Sequence, residues 1–483
     1  MHDVLIVGAG SAGCALAARL SEDPSCRVLL LEAGGGDERR EIAIPAAFSK
    51  LFRSDVDWGY WTEPQPALAG RRVYWPRGRC IGGTSSMNAT MAIPGHTADY
   101  TEWGEGWSFD DVAPAHERVL DALAVEELRD PNPIARAFVA AAAEAGIGPS
   151  ALRLTDLDGV RLTRVTQRRG RRRSAADAYL RPALKRPNLE VRTGAHVARV
   201  VLDGTRAVGV ESDGELVEAA EVVVAGGAVN SPQLLMQSGV DVPGLGENLQ
   251  DHLAAGLLVA SKQPVTLFAA ERPGQVLRYL LRRRGMLTSS VAEAAAFVRT
   301  RPDLPGPDLE LILAPVLFEN EGLEPPSAHG FTVGVVALQP RSRGTVRVRD
   351  DGSPAIDPRY LSEPDDAETL LAGVELARRI VSMPALAPFA GEELAPGDEP
   401  VDASLRARAQ TLYHPVGTCA VGSVVDRELR VVGYERLRVV DASVMPRIPR
   451  GHTHLPTLMI AERGAQFIRS ARDSGGSRSR ASA

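Results

Sequence analysis

The sequence predicts an α/β protein in two parts: a parallel-sheet domain assembled from distant segments of the chain, and an α+β domain between those segments. Three observations support this prediction. The first 32 residues read as strand, glycine-rich turn, helix and strand. Two further apolar strand runs, 221–225 and 438–440, occur much later, and a predicted helix follows each. The stretch 253–402 mixes helical and strand-like runs, which is typical of an α+β domain.

The first element is a βαβ unit with the pattern G-x-G-x-x-G. Its parts, in chain order, are the strand 4–7, Gly8, Gly10, Gly13, the helix 12–20, the strand 28–31 and Glu32. The first glycine permits a tight turn, the second lets backbone approach a pyrophosphate, and the third lets helix and strand pack closely. The helix N-terminus attracts phosphate, and Glu32 can accept hydrogen bonds from a ribose. The unit predicts a dinucleotide site; a glycine-rich turn without a ligand is the alternative.

The later elements follow in order. Short strands are predicted over 190–201 and 207–210, and the strand 221–225 leads into a helix that starts at Ser231. The strand 438–440 leads to Asp441 and to a helix over 457–468. Within the α+β stretch the patterns predict helices over 274–284 and 366–382, and strands over 309–313, 332–338 and 344–349.

Composition excludes several classes of protein. The chain has 483 residues and a net charge of −6, so no global basic field indicates a nucleic-acid partner. No apolar run reaches the length of about 18 residues that a transmembrane helix needs. The first predicted strand begins at residue 4, which leaves no room for a signal peptide. The four cysteines lack metal-like spacing, so we expect reduced thiols and a cytoplasmic location.

Two arginine-rich runs and the tail have simple interpretations. The run 168–173 is basic enough to suggest a polyanion contact, but we interpret it as a solvated loop. The run 282–284 closes a predicted helix, where cations suit the helix dipole. The Ser/Arg/Gly-rich tail, residues 471–483, is predicted to be disordered.

Seven blocks of sequence carry a resemblance that spans residues 3–468. They are 57–65 (DWGYWTEPQ), 77–95 (RGRCIGGTSSMNATMAIPG), 226–239 (GGAVNSPQLLMQSG), 244–252 (GLGENLQDH), 414–419 (HPVGTC), 439–446 (VVDASVMP) and 452–465 (HTHLPTLMIAERGA). In this order they resemble the glucose–methanol–choline (GMC) oxidoreductase family. The resemblance predicts the family's N-terminal homology block at about 3–255 and its C-terminal block at about 335–465.

The resemblance implies a Rossmann-like FAD-binding domain of the GMC/p-hydroxybenzoate hydroxylase type, with an α+β substrate domain. We expect the FAD-binding domain at 1–95, 190–252 and 403–470, connecting and lid segments at 96–189, and the substrate domain at 253–402. By similarity the FAD-binding residues are Gly8, Gly10, Ser11, Gly13, Glu32, Gly83, Thr84, Asn88, Val197, Asp441, Ala442, Thr453 and Thr457. Met87 stands where some members tether FAD through a histidine, so we expect FAD to be bound non-covalently.

The expected chemistry is the oxidation of an alcohol to a carbonyl. An alcohol that loses a hydride must also lose its hydroxyl proton, and histidine accepts protons near neutral pH. The resemblance implies hydride transfer to flavin N5 with His414 as the base. It aligns His452 with a second position that hydrogen-bonds the substrate oxygen, with His454 as the alternative. We interpret His252, in the block 244–252, as structural.

Other functions remain alternatives at this stage. An FAD-containing lyase, similar to hydroxynitrile lyases, would use the same base without net redox change. A non-catalytic flavin-binding protein is a third class, and an NAD-dependent dehydrogenase would leave the later blocks unexplained. The predicted partners are a small-molecule alcohol and an electron acceptor, either O₂ or a quinone or redox protein, with no metal and no nucleic acid. The identity of the alcohol does not follow, because the substrate pocket comes from 253–402.

Overall fold

The computed structural model describes residues 1–481, with all their side chains except those of residues 321 and 475–481. The strands are β1 (His2–Val7), β2 (Val28–Glu32), β3 (Tyr60–Trp61), β4 (Tyr74–Trp75), β5 (Glu126–Glu127), β6 (Gly159–Leu162), β7 (Arg164–Val165), β8 (Gln167–Arg168), β9 (Arg171–Arg172), β10 (Leu189–Thr193), β11 (Val197–Asp203), β12 (Arg206–Ser212), β13 (Glu215–Val224), β14 (Leu253–Ser261), β15 (Ala294–Val298), β16 (Leu309–Ala314), β17 (Gly330–Ala337), β18 (Thr345–Val348), β19 (Pro354–Asp357), β20 (Ala390–Ala395), β21 (Gln410–Thr411) and β22 (Leu437–Val439).

The helices connect and cover these strands. They are α1 (Ser11–Leu20), α2 (Arg40–Ala43), α3 (Thr97–Glu102), α4 (Phe109–Leu123), α5 (Pro133–Glu144), α6 (Arg181–Ala183), α7 (Gly227–Gln237), α8 (Pro273–Arg282), α9 (Pro364–Val381), α10 (Val401–Arg408) and α11 (His454–Ala481). Within residues 1–481, no helix combines the length and the apolar character required to cross a membrane.

The first sheet is built from both ends of the chain. Its parallel strands follow the order β10-β2-β1-β13-β22, so β22, made more than 400 residues after β1, completes the same sheet. The second half of β13 pairs with β1 and β22, whereas its first half forms an antiparallel extension with β12 and β11. The predicted α/β fold with a discontinuous Rossmann-like sheet is confirmed.

The first and last helices pack together on this sheet. Glu462 of α11 is 1% exposed, and its carboxylate accepts hydrogen bonds from Arg19 of α1 (2.9 Å) and Arg118 of α4 (3.1 Å). A buried carboxylate is stable when it is paired in this way. α4 comes from the segment 96–189, which the sequence analysis assigns to connecting and lid segments, yet it packs on α11 beside the nucleotide sheet.

The second sheet is antiparallel and forms the α+β part. Its order is β20-β14-β17-β16-β15-β6, with β21 paired to the start of β14. α9 and α5 pack on this sheet, and successive side chains alternate between the helix-covered face and the opposite face. The strands β16, β17 and β18 lie within a few residues of their predicted positions.

The last helix differs from the sequence-based expectation. α11 continues to Ala481, so the structure has a helix over 471–481, where the composition predicts a disordered tail; residues 482 and 483 lie outside the described residues. Contacts with residues distant in sequence hold the part of α11 around residues 469–472 in place. Arg469 donates to the Arg19 carbonyl and to Glu22, and Arg472 lies 3.8 Å from Asp3. Such contacts cannot be predicted from composition alone.

Candidate active site

One continuous cavity of about 660 Å³ joins the two sheets. The glycine-rich turn after β1 lines one part of it, and the C-terminal residues His414 and His452 line another. The cavity size lies in the range of ordinary cofactor and substrate sites. The predicted nucleotide residues and the predicted catalytic residues therefore line a single cavity.

The two glycine-rich turns touch through their backbones. A Cβ atom on Gly13 would overlap the carbonyl oxygen of Gly8, so the helix packs directly on the turn. Gly83 has a φ of +53°, and a Cβ there would lie 2.7 Å from the Cα of Gly10. Both contacts require the absence of a side chain. The turn at Gly83 therefore closes on the dinucleotide turn at Gly10.

The geometry of the first turn fits a pyrophosphate. α1 begins at Ser11, directly after Gly10, which brings no side chain to cap the first amides. Gly10 and Ser11 line the cavity, so these N–H groups can serve a bound anion. Nε2 of His454 is buried and has no hydrogen-bond partner among the described residues, and its Nδ1 lies 3.4 Å from the Ser11 hydroxyl. This donor set suits the phosphates of a dinucleotide.

Glu32 ends β2 at the edge of the same cavity. Its two carboxylate oxygens accept hydrogen bonds from the amides of Ala9 (2.8 Å) and Gly34 (2.9 Å). Burial raises its pKa, an effect that these two amides oppose. Glu32 thus braces the glycine-rich turn and keeps lone pairs available for a ribose hydroxyl.

The other predicted cofactor residues lie around the cavity wall. Those that line it are Gly8, Gly10, Ser11, Glu32, Gly83, Thr84, Asn88, Val197, Asp441, Ala442, Thr453 and Thr457. Gly13 lies behind the turn, as expected for the packing glycine. Asp441 accepts hydrogen bonds from the Gly227 amide and the Ser231 hydroxyl, so it also ties the end of β22 to the start of α7.

His414 lies in a cluster with two other histidines. Its Nδ1 is 3.0 Å from Nδ1 of His252, and its ring centroid is 4.7 Å from that of His452. Its backbone amide donates to the buried carboxylate of Asp251 (2.7 Å), and the preceding residue, Tyr413, has a φ of +67°. The block that contains Asp251 and His252 therefore holds His414 in place.

The hydrogen bonds determine which nitrogen of His414 is basic. Nε2 of His252 lies 3.0 Å from the carbonyl oxygen of Leu338, which can only accept, so this nitrogen donates. A neutral imidazole has one N–H, so Nδ1 of His252 accepts a proton from Nδ1 of His414. Nε2 of His414 is then left unprotonated, as a general base requires.

Burial keeps both members of this pair neutral. It lowers the pKa of His252 to about 3. The pKa of His414 is held well below its ordinary value, first by burial and then by the neighbouring side chains of His452, His252 and Arg77, which disfavour its protonated form. At neutral pH His414 is therefore unprotonated, and Asp251, whose pKa burial raises to about 6, anchors its backbone.

His452 has a carboxylate partner. Its Nε2 lies 3.2 Å and 3.3 Å from the two carboxylate oxygens of Glu310, which is fully buried on β16. His454 lies instead against Ser11 at the start of α1. Of the two candidates for the second catalytic position, the structure thus brings His452, and not His454, into ring contact with His414.

The site contains two residues whose part in this cluster was not predicted from the sequence, His252 and Glu310. His252 was interpreted as structural, and no pattern along the chain indicated that it meets His414. Glu310 was not considered, although a charged residue inside the apolar strand LELILA is a signal that could have identified it. Both lie on segments distant in sequence from the residues that they contact.

The fold and the site define a class: an enzyme that holds a dinucleotide cofactor in the same cavity as a cluster of buried histidines. The chain belongs to the GMC oxidoreductase family, whose models match residues 2–254 and 340–461. FAD is the cofactor of this family and of this chain.

Individual relatives agree with this assignment. An uncharacterised GMC-type oxidoreductase of Mycobacterium tuberculosis is 46% identical over 97% of this chain and 99% of its own length. An alcohol dehydrogenase [acceptor] of Pseudomonas putida is 38% identical over 97% of this chain and 96% of its own. The crystal structure of pyridoxine 4-oxidase from Mesorbium loti superposes with a TM-score of 0.87 at 32% identity, covering 96% of this chain and 99% of that one.

Proposed function

We propose that this protein oxidises an alcohol to a carbonyl compound, with His414 as the base and FAD bound non-covalently. The observation that carries the proposal is the hydrogen-bond relay from Leu338 through His252 to His414. It leaves a basic nitrogen on a residue that lines the FAD cavity. The relative from Pseudomonas putida, which is an alcohol dehydrogenase, supports the same donor class.

The proposal that FAD is bound non-covalently rests on Met87. This residue lines the cavity at the position where other members tether FAD, and its thioether cannot form that covalent bond.

The reaction removes two electrons and two hydrogens from the alcohol. When bound, oxidised FAD supplies the acceptor for the hydride that leaves the carbinol carbon. His414 takes the hydroxyl proton on Nε2, so the oxygen forms the carbonyl double bond as the C–H bond breaks. The protonated His414 keeps its Nδ1–H bond to His252, which holds the ring orientation through the step.

His452 is proposed to stabilise the alcohol oxygen as it loses its proton. The buried Glu310 carboxylate lies 3.2 Å from Nε2 of His452 and fixes the orientation of the His452 ring. The ring is thereby held beside His414, where it can hydrogen-bond the developing oxyanion.

We infer that the substrate has an uncharged, apolar tail. The sheet face that continues from Glu310 across β16, β17 and β14 lines the cavity with small and apolar residues: Ala254, Gly256, Ile312, Ala314, Gly334 and Val336. Gly256 and Gly334 are direct neighbours across β14 and β17. A Cβ on Gly334 would meet nothing closer than Ile312 at 3.8 Å. Glycine in central strands is typical of places where a ligand approaches the backbone closely.

A larger side chain at Gly334 should lower the activity with large alcohols more than the activity with small ones. In Gly334→Val we expect kcat/KM for a bulky apolar alcohol, such as benzyl alcohol, to fall about 10- to 100-fold, because the new side chain occupies the space above the sheet. The value for ethanol should change far less. Steady-state kinetics with a graded series of alcohols provides the measurement.

The matched control is Gly148→Val, at an exposed position where a Cβ meets nothing within 4 Å. It should leave all alcohols unaffected. Equal losses for ethanol and benzyl alcohol in Gly334→Val, at normal FAD content, would contradict the assignment of this surface to the substrate.

Anaerobic mixing with alcohols tests the proposed function itself. An apolar primary alcohol should bleach the oxidised flavin absorbance, and a polyol of similar size should do so more slowly, because its additional hydroxyls find few partners on the sheet face. Product formation without bleaching would instead indicate the lyase. Reoxidation by O₂ compared with a quinone dye then distinguishes an oxidase from a dehydrogenase.

A further inference from the structure

The two arginine-rich runs of the sequence meet in space. β8 and β9 form a hairpin whose turn contains Gly170, and a Cβ on Gly170 would lie 2.7 Å from the carbonyl oxygen of Arg283 at the end of α8. The hairpin contributes the exposed Arg168, Arg169 and Arg171. The helix and its flanks contribute Arg272, Arg278, Arg282, Arg283 and Arg284. A protein with a net charge of −6 therefore carries one concentrated positive surface.

The outer side of α8 is apolar. Leu277, Leu280 and Leu281 are 56%, 59% and 73% exposed, and their i, i+3, i+4 spacing places them on one face of the helix. The aromatic residue of the helix points inward instead: Tyr279 is buried, its hydroxyl donates to the carbonyl of Ala43, and Arg283 lies over its ring. We call these three leucines and the eight arginines the arginine–leucine face.

Few carboxylates neutralise this face. Asp130 accepts a hydrogen bond from Arg284 (3.0 Å) and lies 3.9 Å from Arg278, Glu126 accepts one from the backbone amide of Arg169 (3.1 Å), and Glu271 pairs with Lys50. Among the residues with described side chains, Arg168, Arg171, Arg272 and Arg282 form no ion pair with a carboxylate. The face thus offers unpaired cations around an apolar stripe.

We propose that the arginine–leucine face docks on the surface of an anionic phospholipid membrane. Exposed leucines on a helix flanked by arginines match the layering of a bilayer interface, where acyl chains lie beneath phosphate groups. A second copy of the chain fits less well, because a two-fold contact would bring two like-charged surfaces together. Nucleic acid would pair with the arginines and leave the leucines without an apolar partner.

The position of α8 gives this contact a consequence for the active site. Ala43, which accepts the Tyr279 hydrogen bond, precedes the short helical segment Pro45–Leu51. Phe48 of that segment lines the FAD cavity. Docking would therefore bring one wall of the cavity next to the lipid, where apolar molecules concentrate.

Vesicle co-sedimentation of the FAD-loaded protein tests the proposal. We expect at least about tenfold more binding to a one-to-one mixture of phosphatidylglycerol and phosphatidylcholine than to phosphatidylcholine alone, and a loss of binding at high salt. The double variant Leu280→Gln/Leu281→Gln and, separately, Arg168→Gln/Arg282→Gln should each lose most of the binding. Activity with a water-soluble alcohol should stay unchanged.

The control is Leu216→Gln, which alters another exposed leucine (53% exposed) on β13. It should bind vesicles like the wild type. Absent binding, equal binding to neutral and anionic vesicles, or an equal loss in the control would overturn the proposal. A change in oligomeric state in the leucine variant, measured by light scattering without lipid, would assign the face to a second copy instead. The vesicle-binding and light-scattering readouts do not depend on the identity of the substrate.

Discussion

His414→Ala should slow anaerobic reduction of the flavin by an alcohol about 100- to 10,000-fold, the range expected for removal of a general base. The physical reason is the relay described above: Leu338 and His252 fix the protons so that Nε2 of His414 is the free base. Stopped-flow absorbance of the flavin measures the step directly. FAD content and melting temperature serve as controls, because His414 is not among the residues proposed to hold the nucleotide.

The pH profile provides an independent check on the same residue. Because the pKa of His414 is held below its ordinary value of about 6.5, the imidazole stays unprotonated down to lower pH. The rate of reduction by the wild type should therefore fall only below about pH 6.5, as His414 gains a proton and loses its capacity to accept another. This acid limb should be absent from the residual activity of His414→Ala. An unchanged reduction rate in the variant would remove His414 from the mechanism.

Gly13→Ala should yield protein that is nearly free of FAD. The added Cβ would overlap the carbonyl oxygen of Gly8; the Cβ is fixed by the helix backbone and the oxygen is itself a backbone atom, so neither can rotate away. Overpacking of this kind costs about 1–3 kcal/mol, and here the strain falls on the turn that receives the pyrophosphate, so we expect FAD affinity to drop about 10- to 100-fold. The ratio of flavin to protein absorbance after gel filtration is the measurement.

The matched control is Gly35→Ala, near the same sheet edge, where a Cβ meets nothing within 4 Å. It should retain wild-type FAD. The wild type also tests the mode of attachment: acid denaturation should leave the flavin in solution and none on the polypeptide. Full FAD occupancy in Gly13→Ala would contradict the role assigned to the first turn.

Features that depend only on residues close together along the chain could be predicted from the sequence. The βαβ unit was predicted within about two residues because glycine spacing and strand periodicity are local properties. The candidate base and its second partner came from motif resemblance, and the structure places both in one cavity.

Contacts between distant segments could not be predicted. The approach of His252 to His414 depends on the pairing of Gln250 with Val416 and on the unusual backbone of Tyr413. The pairing of His452 with Glu310 depends on how the loop that precedes α11 meets β16. The sequence also does not show that the leucine face of α8 is exposed. An amphipathic pattern alone would assign Leu277, Leu280 and Leu281 to the core.

The shared sheet of the two chain ends has a consequence for synthesis. When the first 255 residues have been translated, both glycine-rich turns have been synthesised, but β22 and α11 have not. Arg19 then has no Glu462, and β13 has an open edge. FAD therefore cannot be fully enclosed during most of translation, and the nascent nucleotide site stays incomplete until the final helix has left the exit tunnel.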